Sequence, residues 1–126
     1  MKGLILTLLI PLSICFAQEE SVKPGINEKF LDRDLKVEEW TGKFEVESRE
    51  VYDFRKEIAE NVGLKPGMAM ADIGAGTGLF TLPFSKAVGP EGKVYAVDIA
   101  KNFLTHIRAR MERKKAKNVE TVLCTE

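Results

Sequence analysis

The sequence predicts an α/β protein: an open parallel sheet in a three-layer α/β/α arrangement, with only the first three strands present. Three observations carry this. Short apolar runs alternate with helical stretches at the spacing of strand, crossover helix and strand, which implies parallel pairing with right-handed crossovers. The stretch "ADIGAGTGLF", Ala71 to Phe80, puts Gly74, Gly76 and Gly78 between an apolar strand and a helix. Asp98 then closes the next apolar run, twenty residues after Gly78.

Composition sets the frame without naming a partner. The chain has 126 residues, 44% hydrophobic and 30% charged, with 19 basic side chains against 19 acidic ones, so it is globular in composition and its net charge points to no partner. The first residues, "MKGLILTLLIPLSICFAQEE", read as an export signal. Lys2 supplies the positive start, Leu4 to Ile14 the apolar core, and cleavage is expected after Ala17. That run is broken by Pro11 and is shorter than the roughly 20 residues of a spanning helix, so a stable membrane span is not expected. Export to the periplasm or medium is the reading, with an uncleaved membrane anchor as its alternative. Lipid attachment at "LSIC" is disfavoured by bulky Ile14 before Cys15. Removing residues 1–17 leaves 18 basic against 19 acidic side chains and Cys124 as the single cysteine, so no internal disulfide can form.

The elements follow in order. Residues 18–47 read as an N-terminal arm or lid: polar and aperiodic to about Lys36, then Val37, Trp40 and Phe44 at helical spacing. Residues 48–126 read as the partial domain. It opens with a helix capped by Ser48 whose face carries Val51, Phe54 or Tyr52, Ile58 and Val62, and Gly63 ends it. Met68 to Ile73 is the first strand. Leu79 to Val88 is a helix with a late start or kink expected at Pro83, stopped by Gly89 and Pro90. Lys93 to Ile99 is the second strand. Asn102 to about Lys117 is a helix burying Phe103, Ile107 and Met111, and Val119 to Cys124 is the third strand. The first strand is expected to have a bare outer edge, so that the chain reads as the front half of a longer domain, prone to associate through that edge.

Glycine turns before helices bind polar or anionic groups, because a residue without Cβ lets a ligand approach the backbone and the helix start offers free N–H groups. A dinucleotide fingerprint is G-x-G-x-x-G, with ligands at the carboxyl ends of the strands and an acid on the ribose. Here the spacing is G-x-G-x-G with Asp72 two residues before it, which weakens the nicotinamide reading, while Asp98 supplies the ribose acid.

"DIGAGTG" followed by "VYAVD" resembles the first motif and acidic second-strand end of the class I methyltransferases that use S-adenosylmethionine. The resemblance covers Val51 to Cys124 and implies a Rossmann-like fold and S-adenosylmethionine as cofactor. It further implies that Gly74, Ala75, Gly76 and Gly78 form the turn against the methionine and ribose portions, and that Asp72 helps orient the amino group. Asp98 would accept from both ribose hydroxyls, and Ile99 would pack on the adenine. The residue that reads the adenine amine would fall near Thr125 and Glu126. Methyl transfer from a sulfonium chiefly needs alignment and exclusion of water. Catalytic residues are therefore not named, and a small-molecule acceptor is expected.

The remaining candidates have plainer readings. His106 is read as a surface or capping residue, Cys124 as a buried strand residue, and Trp40, Phe44 and Tyr52 as packing or a lid. The basic run "RARMERKKAK", Arg108 to Lys117, suits a solvated helix face, and no nucleic-acid or metal site is expected. Two other functions compete: a nicotinamide-dependent oxidoreductase and a module that binds a nucleotide without turnover. Export favours the second, since the sulfonium cofactor is made in the cytoplasm.

Overall fold

A computed structural model describes residues 23–125. The expected export signal lies outside them. The elements are α1 (Glu28–Leu31), α2 (Val37–Phe44), α3 (Glu50–Asp53), α4 (Arg55–Asn61), β1 (Ala69–Ile73), α5 (Thr81–Val88), β2 (Lys93–Asp98), α6 (Lys101–Arg113) and β3 (Val119–Leu123). The three strands form one parallel sheet in the order β1-β2-β3, with Ala69 beside Lys93 and Val94 beside Val119. This is the open α/β sheet that the alternation predicts, and β1 lies at its edge.

The register decides which residues become core. Met70, Val94 and Val119 stand side by side on one face, as do Asp72, Ala96 and Thr121 two residues on. Phe84 and Val88 of α5 pack on Val94, and Ile107 and Met111 of α6 pack on Ala96. Both crossover helices therefore cover the same face, as two successive right-handed crossovers in one direction require. On the other face Tyr95 and Ile73 are exposed.

α5 starts at Thr81, so Pro83 falls in its first turn, where its missing N–H would have had no helical partner. Asn118 ties the far end of α5 to β3: its amide donates to the carbonyls of Ser85 and Gly89 at 2.9 and 2.7 Å. α6 buries Phe103, Ile107 and Met111 as its spacing predicts. It ends at Arg113 rather than near Lys117, because Lys115 adopts φ 57° and the Ala116 N–H turns back to the Met111 carbonyl.

Three expectations are corrected. The helix expected from Ser48 to Val62 is two helices broken at Phe54, which has φ −89° and ψ 10°, and the residue flanking α3 is Arg49. Its apolar row, Val51, Phe54, Ile58 and Val62, is exposed; only Ala59 of α4 is buried, against Phe84 and Val88. Periodicity locates a stripe but not its partner. The arm is also not free of core: Leu35 and Val37 are buried with Ala100 and Phe103, and Phe30, Trp40 and Phe44 pack around them. Cys124 lies past the end of β3 and is half-buried, not a strand residue. Among the described residues no helix is long and apolar enough to cross a membrane.

Gly92 marks the tightest backbone approach. A Cβ there would stand 2.5 Å from the Val88 Cβ and 2.6 and 2.7 Å from the carbonyl oxygens of Val88 and Met68. Gly92→Ala should therefore cost about 1–3 kcal/mol. Gly42→Ala, inside α2 with nothing within 4 Å, should raise stability by roughly 0.5–1 kcal/mol. Thermal unfolding followed by circular dichroism checks both, and equal melting temperatures for the two variants would contradict this packing.

Candidate functional site

The glycine turn is built onto the end of β2. The N–H groups of Gly74 and Ala75 both donate to the Val97 carbonyl, at 2.9 and 3.0 Å. Gly74, Gly76 and Gly78 all have positive φ, at 72°, 54° and 79°. Their surroundings differ. The Cβ position of Gly74 is open, that of Gly76 faces the ring of Phe44, and that of Gly78 would stand 2.9 Å from Ile107 Cγ1. Gly78 thus lets α6 approach the turn, Gly76 lets the Phe44 ring pack on it, and Gly74 keeps the backbone accessible.

Asp98, the last residue of β2, is buried with its carboxylate held on both oxygens. Oδ2 accepts from the Gly76 N–H and Oδ1 from the Ala100 N–H, each at 2.8 Å. A carboxylate has about four lone-pair positions, so each oxygen can still accept another donor. Ile99 follows directly. A cleft of about 330 Å³ opens at this point, lined by Gly74, Gly76, Asp98 and Ile99 together with Phe30, Phe44, Phe103 and Cys124. Beside it Ile99, Leu123, Cys124 and Thr125 line a second hollow with Phe30 and Leu31. The cleft therefore lies at the carboxyl ends of the strands, where ligands of open α/β sheets bind. A larger groove of about 640 Å³ runs along α6 and β3 past Arg108, Met111 and Thr121. It is remote from the turn and gathers no buried polar group.

Of the residues singled out in the sequence, Gly74, Gly76, Asp98 and Ile99 line the cleft, whereas Asp72, Ala75 and Gly78 do not.

 Ala75 is buried against Ala96 and Ile107, so its side chain belongs to the core. Asp72 is half-buried on the core face of β1, and its Oδ2 accepts from the Thr81 hydroxyl at 2.7 Å at the start of α5. Burial raises its carboxyl above the usual aspartate range, the Thr81 bond opposes this, and the negative charge of Asp98 adds to the rise. His106 is half-buried on α6, outside the cleft; burial and then the Arg110 charge push its imidazole below the usual range. Among the described residues no cluster of His, Cys, Asp and Glu could hold a metal ion.

Sequence reasoning missed two parts of the site. Phe30 lies in the aperiodic segment before Lys36, and no local pattern marks it. Glu45 and Arg110 are far apart in sequence yet form a bidentate ion pair, at 2.6 and 3.1 Å. Only the helical spacing of Trp40 and Phe44 hinted that the arm would pack.

The residues present suit a nucleoside with a short polar tail. Asp98 offers acceptors for a pair of hydroxyls, Ile99 and the phenylalanines offer apolar faces, and Gly74 and Gly76 offer close backbone approach. Residues 45–126 match the model of the ubiE/COQ5 methyltransferase family. A demethylmenaquinone methyltransferase of Bacillus mycoides is 35% identical over 69 residues, which are 55% of this chain and 29% of that protein. One of Staphylococcus aureus is 30% identical over 88 residues, 70% of this chain and 36% of that protein. The chain thus spans about a third of the length of these curated relatives. A solved SAM-dependent methyltransferase from Aquifex aeolicus matches with a TM-score of 0.61 and 31% identity, over 73% of this chain and 48% of that one.

The raised Asp72 carboxyl gives a pH prediction. Folding favours its protonated form, so the buried charge weakens the fold above the folded-state pKa, and that cost fades as pH falls towards the unfolded value. Asp72→Asn keeps an acceptor for Thr81 and removes the charge. The variant should melt above the parent chain at pH 7, with the gap closing as pH falls through the aspartate range. A gap that stays constant from neutral to acid pH would contradict this origin.

Proposed function

The chain belongs to the ubiE/COQ5 methyltransferase family, whose model covers residues 45–126, and on that premise we propose that the protein is an S-adenosylmethionine-dependent methyltransferase with a quinone-like aromatic acceptor. The observation that carries the cofactor half of this reading is the buried Asp98 carboxylate bonded to the Gly76 N–H, which joins the strand-end acid and the glycine turn in one cleft. The acceptor half rests on the relatives named demethylmenaquinone methyltransferase.

In this reading Asp98 accepts from the ribose hydroxyls, Ile99 packs against the adenine, and the Gly74 and Gly76 backbone lies against the ribose and methionine portions. Asp72 acts from behind the turn, through Thr81 and the start of α5, rather than from the cleft wall. When bound, the cofactor would supply an electrophilic methyl on a sulfonium, and Asp98, Ile99 and the Gly74 and Gly76 backbone would hold it in the cleft. The phenylalanines exclude water from the cleft. The absence of a dinucleotide spacing speaks against the oxidoreductase alternative.

Calorimetry with S-adenosylhomocysteine and with NAD tests the cofactor reading. Binding of the first and not the second is expected, and binding of the dinucleotide alone would end the proposal. Asp98→Asn should weaken that binding by about 1–3 kcal/mol. It should also lower the melting temperature, because an amide nitrogen would face the Gly76 or Ala100 N–H.

We also propose that residues 1–17 direct export. N-terminal sequencing of the protein recovered from cells should find Gln18 first; an intact Met1 would favour the uncleaved anchor, and retention in the cytoplasm would contradict both.

A further inference from the structure

The floor of the cleft is assigned above, but its roof is not. Phe30 of α1 and Phe44 of α2 line the cleft together with Gly74, Gly76 and Asp98. The Phe44 ring lies 3.7 Å from the Cβ position of Gly76, so it closes directly over the turn. These rings are locked together through Trp40, with centroids 4.9 Å from Phe30 and 5.3 Å from Phe44, and both also meet Phe103 of α6.

Polar bonds attach this aromatic layer at its two ends. The Asn102 amide, at the start of α6, donates to the carbonyls of Leu35 and Arg33 at 2.8 and 3.1 Å. At the other end Glu45, just past α2, accepts from the Thr77 hydroxyl at 2.7 Å and from both terminal nitrogens of Arg110. Arg110 also donates to the Thr77 carbonyl at 3.2 Å. Thr77 sits between Gly76 and Gly78 and is fully buried. One carboxylate therefore joins the end of the roof to the middle of the glycine turn, and none of Glu45, Thr77 and Arg110 lines the cleft.

We propose that residues 27–45 form the second wall of the nucleoside cleft and that Glu45 is a positioning residue, coupling that wall to the glycine turn through Thr77 and Arg110. The wall's role as a ligand contact rests on the cofactor reading above; the coupling itself does not. A ligand lying on the open backbone of Gly74 meets the Phe44 ring that packs on Gly76. Freeing Glu45 loosens the roof and the turn together, so affinity falls without loss of any direct contact.

Trp40 is the single tryptophan of the chain and sits inside the roof, so its fluorescence reports the wall. The test compares the full chain with Glu45→Gln and Arg110→Lys, first without ligand and then with S-adenosylhomocysteine. Without ligand, Glu45→Gln should raise acrylamide quenching of Trp40 and speed amide exchange at Gly76 and Gly78, while the core amides of β2 keep their protection. With ligand, its Kd should rise about tenfold, and Arg110→Lys, which keeps the charge but loses the fork, should move the same way by less. Unchanged quenching and exchange would overturn the coupling whether or not the ligand binds. Changed quenching with a Kd within about twofold of the parent would overturn the positioning role. Absence of S-adenosylhomocysteine binding by the parent chain would overturn the cofactor reading and the wall's ligand role, while the ligand-free measurements still decide the coupling.

Discussion

The Asp98 carboxylate is the interaction on which the rest of the site depends. It accepts from the turn 22 residues earlier and from the start of α6, and the carbonyl of the same residue accepts from Cys124 just past β3. One strand-end residue thus sets the positions of the glycine turn, a crossover helix and the segment after the third strand. Hydrogen bonds to a charged group are worth about 1.5–3 kcal/mol each. The same bonds orient it before any ligand arrives.

Packing explains why the turn can sit there. α6 crosses close to the turn because Gly78 carries no side chain, and Ile107 fills that space and continues into the core beside Ala96. Ala75 completes the same cluster from within the turn. The glycine stretch is therefore half core and half cleft: alternate residues serve packing and ligand approach. A change on the packing side would be felt in the cleft, since both sides belong to one short run of backbone.

The roof is held differently from the floor. The floor rests on parallel strand pairing and two helices packed on one face, whereas the roof rests on the packing of Leu35, Val37 and tilted aromatic rings against α6 and on the side chains of Asn102 and Glu45. Segments held by few backbone pairings open more readily than the core.

Much of this was legible in the sequence for a physical reason: the signals were local. Alternating apolar runs located all three strands, Phe103, Ile107 and Met111 identified the buried stripe of α6, and the spacing from Gly78 to Asp98 brought the acid to the mouth of the turn because parallel strands end on the same side. Residues that act across long separations carried no such mark. The exposed row Val51, Phe54, Ile58 and Val62 has the period of a buried face, yet whether a face is covered depends on what packs there. Phe30 reaches the cleft and Glu45 reaches Arg110 only because the arm folds back over the strand ends. Tertiary structure alone decided that Gly78 serves α6, Gly76 meets Phe44 and Gly74 stays open, since three glycines with the same sign of φ differ only in what stands opposite them.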